Sequence, residues 1–436
     1  MAVITADGPR SPFGVREIIR FRRAPLEFVA ANARRFGDVA SFRLGRQLAY
    51  QVNHPDLVRE LLVTNAGDHL RGPLMQRARA VMGSGLLTSE EPLHTDQRRT
   101  LQPLFHRERL AAYADTIEQS ARTFAGWRDG ESIDVRTEML RLSLDIVGRS
   151  LFGADLRDDA RRIAQAVNAF MLMMDAVFFP WPDQFLRLPF PPMRRFRRGM
   201  SDLDEIIGRL IAAPDTGSGG IAGWLLRSGR GPSWRRQVRD ECVTFLLAGH
   251  ETVANALTFA ILLIAQRPDV AERLADETVV CASLPPADRY ERLRYTRAVL
   301  AESMRLYPPV WILARQTKAA STIGSQRVPS GTVIFVSQWV IHRDDRFFTE
   351  PLRFAPERFL EPVAPRHAYF PFGAGPRQCI GESFAWMEGT LVLAEIVRRW
   401  RLQLMTDAEP SLTAKVTLRP AAPVIVRVTT RSTAPR

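Results

Sequence analysis

The sequence predicts a mainly α-helical protein with small β-sheets near the N-terminus and in the last third. Three observations lead to that class. Through most of 55–207, apolar residues recur at i, i+3 and i+4, the spacing that gives a helix one apolar face. From about 233 to 267 a longer helical stretch runs without proline and stops just before Pro268. Strand-like runs are short and few: 38–44, 47–53 and pieces of 317–337.

Taken in order, Pro25 opens a short amphipathic helix over 25–35, at a position where a missing N–H has no intrahelical partner to lose. Gly45-Arg46 joins the runs 38–44 and 47–53 as a hairpin. Pro180, Pro182, Pro189, Pro191 and Pro192 are expected to break the helical region into a stiff irregular segment. A glycine-rich loop follows at 215–220. Ser233 is the expected N-cap of the long helix, which at 1.5 Å per residue reaches ~50 Å. More helices continue to Leu306. Beyond 317–337 come proline-rich loops, a loop containing Cys379, a helix over about 381–399, and short terminal strands. The chain exceeds the usual single-core limit of about 250–300 residues, yet no repeat or low-complexity linker marks a boundary. One domain over 1–436 is therefore expected: a β-rich part at about 36–54, a helical core at about 55–310, and a mixed part at about 311–436.

The formal charge of +13 alone suggests nucleic acid or another anionic surface. Only Lys318 and Lys415 are lysines among the 60 basic residues, and the arginines are scattered, not gathered in a tail. That distribution disfavours nucleic acid and suits an acidic protein partner. Three widely spaced cysteines cannot build a disulfide framework, which points to a reducing cytoplasm. The N-terminal apolar run is too short for a secretion signal. The apolar run 253–265 falls short of the ~20 residues a bilayer span needs, so no transmembrane segment is expected.

Chemistry concentrates in Phe372-Gly-Ala-Gly-Pro-Arg-Gln-Cys379-Ile-Gly381. A cysteine is most often a small buried hydrophobe, and Cys242 and Cys281 read that way. Cys379 differs, because glycines let backbone amides approach its sulfur and Arg377 favours the thiolate. A thiolate is a soft ligand for heme iron or a sulfur-loving metal. A second cluster, Ala248-Gly-His-Glu-Thr252, lies mid-helix. Gly249 costs about 1 kcal/mol there relative to alanine. Thr252 can bond back to the Ala248 carbonyl and bend the helix. The apolar run that follows implies burial, and a buried Glu251 needs a partner or a task. Glu302 and Arg305 stand at i, i+3, ordinarily a weak surface pair.

These runs, with Phe354-Ala-Pro-Glu-Arg358-Phe, stand in the order of the cytochrome P-450 motifs, and the chain resembles a soluble bacterial member of that family. The resemblance implies that family's fold, with heme b (iron protoporphyrin IX) between the long oxygen-binding helix and the cysteine-loop helix. It implies a heme-thiolate monooxygenase that consumes O2 and hydroxylates or epoxidises a lipophilic small molecule. Cys379 would ligate iron, Phe372 shield the sulfur, and Gly373, Arg377 and Gly381 complete the loop beside the heme. Ala248 and Gly249 would form the oxygen groove, with Glu251 and Thr252 relaying protons. Glu302, Arg305 and Arg358 would form a buried triad that fixes geometry more than it stabilises. His94, Arg98 and Arg315 match propionate contacts, although the family often carries tryptophan where His94 stands; His342 is a weaker candidate.

Electrons are expected from NAD(P)H through a separate ferredoxin and ferredoxin reductase or equivalent donors, since the family pattern leaves no residues for a fused reductase. The apolar stretch 170–181 falls where the family places its substrate lid, and ordinary helix packing explains it as well. The basic run 193–198 follows it, where contact with a membrane surface has weak support. Phe178, Phe179, Phe245 and Val310 are pocket candidates, and a terpenoid, carotenoid or fatty-acid-like substrate is expected. Two rivals remain: a peroxide-using or rearranging heme-thiolate enzyme, and a non-catalytic heme sensor. The Glu251-Thr252 acid–alcohol pair argues against the first; a sensor would need no oxygen-cleaving machinery, and Thr252→Ala would then change nothing measurable.

Overall fold

A computed structural model describes residues 6–177, 191–212, 220–229, 231–406 and 409–431. The chain divides into two compact units, each built from separated stretches: Met1–Gln76 with Ala301–Cys379, and Arg77–Leu300 with Ile380–Arg436.

The first unit is organised by a five-stranded sheet. Strands Val39–Leu44 and Gln47–Val52 form the expected hairpin, with Val39 opposite Val52 and Leu44 opposite Gln47. Gln47–Val52 then pairs in parallel with Val333–Val336, which pairs antiparallel with Leu313–Thr317. His69–Arg71 closes the far edge. Tyr50, Val52, Leu61, Leu62, Ile334, Val336 and Phe370 fill the core on this sheet. Phe370 stands two residues before Phe372, so the cysteine loop starts from a buried anchor.

The second unit is helical around Pro232–Ala265. That helix packs against Val135–Val147 and Glu382–Arg399, and Glu382–Arg399 also packs against Arg107–Phe124 and Pro268–Val280. A small antiparallel sheet of Ser132–Asp134, Ile425–Thr430 and Trp400–Leu404 completes the unit. Two strands, His69–Arg71 and Ser132–Asp134, fall inside the region whose periodicity reads as helix. Each is three residues long and exists through distant partners, which no local pattern reports.

Three local expectations are corrected. Ser233 does not cap the long helix; Gly231 holds the cap position and Pro232 opens the first turn. Pro191 and Pro192 likewise begin a helix, Pro191–Ala212, instead of continuing an irregular segment. Pro180, Pro182, Pro189 and the loop 215–219 lie outside the described residues. The long helix is also not too short for a bilayer: Ser233–Ala265 is long and apolar enough by length and composition, but 83% of its apolar window is buried in the protein.

Helix Ala160–Val177 packs against Pro191–Ala212 through a glycine contact. A Cβ on Gly199 would lie 2.8 Å from the Ala166 Cα, a backbone atom that cannot step aside. Gly199→Leu is expected to force the two helices apart at a cost of about 1–3 kcal/mol, read as a lowered thermal midpoint.

Candidate active site

The cysteine loop is shaped by two glycines that no other residue replaces easily. Gly373 and Gly375 have φ of +75° and +72°. A Cβ on Gly375 would collide with the Leu62 carbonyl, so the loop lies directly on the helical turn Glu60–Thr64. The turn is held by the Phe370 carbonyl accepting from Gly373 N–H at 2.9 Å and the Phe372 carbonyl accepting from Cys379 N–H at 3.0 Å. Phe372 and Arg377 are half-buried beside it. Cys379 is exposed, whereas Cys242 and Cys281 are buried. Burial pushes the Cys242 thiol up to about 12, as expected of an inert side chain. Among the described residues no group of three or more His, Cys, Asp and Glu side chains is placed to hold a metal ion.

Upstream, Glu302, Arg305 and Arg358 meet. Arg305 donates to both oxygens of Glu302, at 2.6 and 2.8 Å, and neither side chain is exposed at all. Arg358 donates to Glu302 Oε1 at 3.1 Å. The cluster also holds backbone: Arg305 donates to the carbonyls of His342, Pro351 and Arg353, while Glu302 accepts the Ala355 N–H at 2.9 Å. His342 carries the chain of contacts onward, because its Nε2 accepts the Phe370 N–H at 3.0 Å. This corrects the reading of His342 as a propionate contact. Burial, reinforced by Arg305 and Arg343, holds the ring well below the usual histidine range, so it is a neutral structural acceptor. Its role was invisible in the sequence because Phe370 lies 28 residues away.

In the second unit the long helix is buried at every position from 240 to 264 except Ala248, Gly249 and Thr252. These three share one face, at i, i+1 and i+4. Thr252 Oγ1 donates to the Ala248 carbonyl at 2.7 Å, the back-bond expected at this pair. Gly249 lets Val147 approach: a Cβ there would lie 3.2 Å from a Val147 methyl. Glu251 is 2% exposed and turns elsewhere. Its Oε1 lies 3.6 Å from Arg136 and 3.5 Å from Arg419, and accepts from Thr417 Oγ1 at 3.3 Å. These partners come from segments far apart in the chain, so sequence spacing could not name them.

The remaining candidates are distributed. His94 is buried, with Nδ1 3.1 Å from Glu91 Oε1, and Arg98 follows one turn later on Leu93–Leu101, half-buried. Arg315 is 7% exposed on Leu313–Thr317, where its cross-strand neighbour is Arg71. Gly381 takes the N-cap position of helix Glu382–Arg399. Phe245 is buried and stacks on Phe105 at 5.8 Å; Val310 is half-buried. Phe178 and Phe179 lie outside the described residues.

Two features stand out: a loop carrying one exposed cysteine, and one open strip on a buried helix. The residues present fit a heme: the cysteine would supply a thiolate ligand, and Arg315, with Arg71 opposite it across a strand pair, offers the kind of cation that would hold a propionate. Only the register with Arg315 brings Arg71 forward, which local sequence does not report.

Comparison with known proteins gives the same class. The cytochrome P450 family matches residues 12–215 and 228–428. Cyclooctatin synthase of Streptomyces melanosporofaciens is 34% identical over 398 residues, covering 87% of this chain and 86% of that protein. Cyclooctat-9-en-7-ol 5-monooxygenase of the same organism is 34% identical over 397 residues, with 87% and 86% covered. Pentalenene oxygenase of Streptomyces avermitilis is 31% identical over 423 residues, with 94% of each covered. The chain belongs to the cytochrome P450 family and is a monooxygenase, which implies heme iron and O2.

The triad separates two outcomes. Glu302→Ala strands a fully buried Arg305, an expected loss of about 3–5 kcal/mol, read as failure to accumulate folded, heme-loaded protein. Arg358→Ala leaves the Glu302–Arg305 pair intact and is expected to accumulate as folded, heme-loaded protein in clearly higher yield than Glu302→Ala.

Proposed function

We propose that this monooxygenase oxidises a bulky, lipophilic terpenoid at an unactivated C–H bond or an alkene. The observation that carries the reading is the set of similar proteins, whose names specify cyclooctatin, cyclooctat-9-en-7-ol and pentalenene as what they make or act on. The narrow strip of Ala248, Gly249 and Thr252 suits it, since small residues leave room beside the reacting centre.

Heme iron bound to a cysteine thiolate would supply the activation of dioxygen. The chain's own residues would do the rest. In this reading Cys379 would provide the thiolate, Phe372 would cover the sulfur, and Gly373, Arg377 and Gly381 would shape the loop around it. His94, Arg98, Arg315 and Arg71 would hold the propionates. Ala248 and Gly249 leave space for oxygen, and the Thr252 hydroxyl, held by the Ala248 carbonyl, donates a proton there. Glu251, the neighbouring acid held by Arg136, Arg419 and Thr417, would be the source of protons for that hydroxyl. The Glu302, Arg305 and Arg358 cluster braces the loop. Both units act together as one functional domain. The basic balance of the chain favours an acidic electron donor, a ferredoxin with its reductase drawing on NAD(P)H in the cytoplasm.

Two experiments test this. Cyclooctat-9-en-7-ol and pentalenene, each supplied with a surrogate ferredoxin and reductase, should shift the heme absorbance and yield oxygenated product; a fatty acid converted in preference to both would overturn the terpenoid assignment. Thr252→Ala should keep substrate binding while product per electron pair falls about tenfold or more, with hydrogen peroxide released instead. Unchanged coupling in that variant would remove the proton-donor role.

A further inference from the structure

The open strip of the long helix has a defined upstream limit, and two carboxylates make it. Glu241, Phe245, Ala248 and Thr252 follow at intervals of four, three and four residues and so share one face. Glu241 stands ~10 Å along the axis before Ala248. At that point the loop 83–86 lies on the helix.

The docking is dense. Asp240 Oδ2 accepts the Ser84 N–H at 2.8 Å, and Glu241 Oε2 accepts the Leu86 N–H at 2.9 Å. Gln237 bridges, donating to Glu241 Oε1 at 2.8 Å and to the Ser84 carbonyl at 3.2 Å, and Gln97 donates to that carbonyl at 2.6 Å. Side chains are excluded from the contact. A Cβ on Gly83, whose φ is +78°, would collide with the Asp240 carboxylate, and one on Gly85 would collide with the Thr244 hydroxyl. Thr88 closes the loop from within, donating to the Gly83 carbonyl at 2.6 Å. Neither carboxylate has a place in the proton relay or the heme contacts above.

We infer that Asp240 and Glu241 are positioning residues: a two-carboxylate clamp that pins the glycine loop 83–86 to the helix and thereby sets how much of the Ala248–Thr252 face is open to a bulky substrate. The inference rests on the monooxygenase assignment but not on the terpenoid one.

The clamp is proton-linked. Burial pushes the Glu241 carboxyl up to about 7, against the Leu86 N–H and Gln237 bonds that pull it down; the Asp240 charge adds to the rise. The other groups around it are Cys242 on its own helix, whose thiol burial and the Glu241 charge hold high, Arg79, which donates to Ser84 Oγ, and Arg239, tied to Asp240 and to Asp204 of helix Pro191–Ala212. A released loop that exposes Glu241 to water would let its carboxyl fall toward the ordinary carboxylate value of 4.5. The docked state therefore binds more protons. Docking is fully favoured below 4.5, weakens as pH rises toward about 7, and stays weaker above.

The test uses the heme-loaded enzyme with two neutral iron ligands of different bulk, methyl isocyanide and cyclohexyl isocyanide, titrated by heme absorbance. Glu241→Ala is expected to change the ratio of the two affinities about fivefold, the equivalent of one buried hydrogen bond, with methyl isocyanide affinity held. In the unmodified enzyme the ratio should differ between about pH 5 and about pH 8, and in Glu241→Gln it should be flat. If Glu241→Ala does not retain heme, Glu241→Gln and Asp240→Asn carry the measurement. Parallel shifts of both ligands, an unchanged ratio, or the same pH dependence in Glu241→Gln would each overturn the clamp. Loss of terpenoid turnover with the ratio behaving as expected would count against the substrate assignment alone.

Discussion

The buried Glu302–Arg305 pair is the constraint on which the geometry of the first unit depends. Two ions taken fully out of water persist only when nearly every donor and acceptor is satisfied. Here that requirement recruits backbone from 342 to 355 and the Arg358 side chain, so a long stretch without regular strands is held by side-chain bonds. The order passes from there to His342, to the Phe370 N–H, and so to the loop ending at Cys379. Tyr369 adds a second tie, donating to the Ala301 carbonyl at 2.9 Å from the helix that carries the pair. The cluster thus ties the segments 342–355 and 369–370 to one helix, just before the loop that carries Cys379.

Much of this was legible in the sequence, and what was legible is local. The hairpin of 38–53, the long helix, the loop glycines and the Thr252 back-bond each depend on residues within a few positions of one another. So did the distinction between Cys379 and the other two cysteines, which their exposure now matches. What the sequence could not disclose are relations across the chain. The parallel pairing of Ala49 with Val333 spans most of the protein, and Arg419 approaches Glu251 from a segment far along the chain. His342 illustrates the limit: histidine near the loop suggested a cation, whereas complete burial makes it neutral and turns it into an acceptor. Ser233 fails differently, because Pro232 already occupies the first turn and moves the cap position back to Gly231.

Electrostatics divides the carboxylates of the long helix into two kinds. Glu251 has guanidinium partners from two separate segments, Arg136 and Arg419, and burial lowers Arg136 itself. Among the described residues Glu241 has neutral donors alone at hydrogen-bond distance, a backbone N–H and an amide. Ten residues apart on one helix, the two acids therefore sit in different surroundings, one beside guanidinium groups and the other held by neutral donors.

The strip formed by Ala248, Gly249 and Thr252 has a consequence for how such a protein diversifies. Every other position from 240 to 264 is buried, so a change of size or polarity at most of them disturbs the interior. Surface loops tolerate replacement more readily, so altering chemical preference by substitution is cheaper outside this helix than within it.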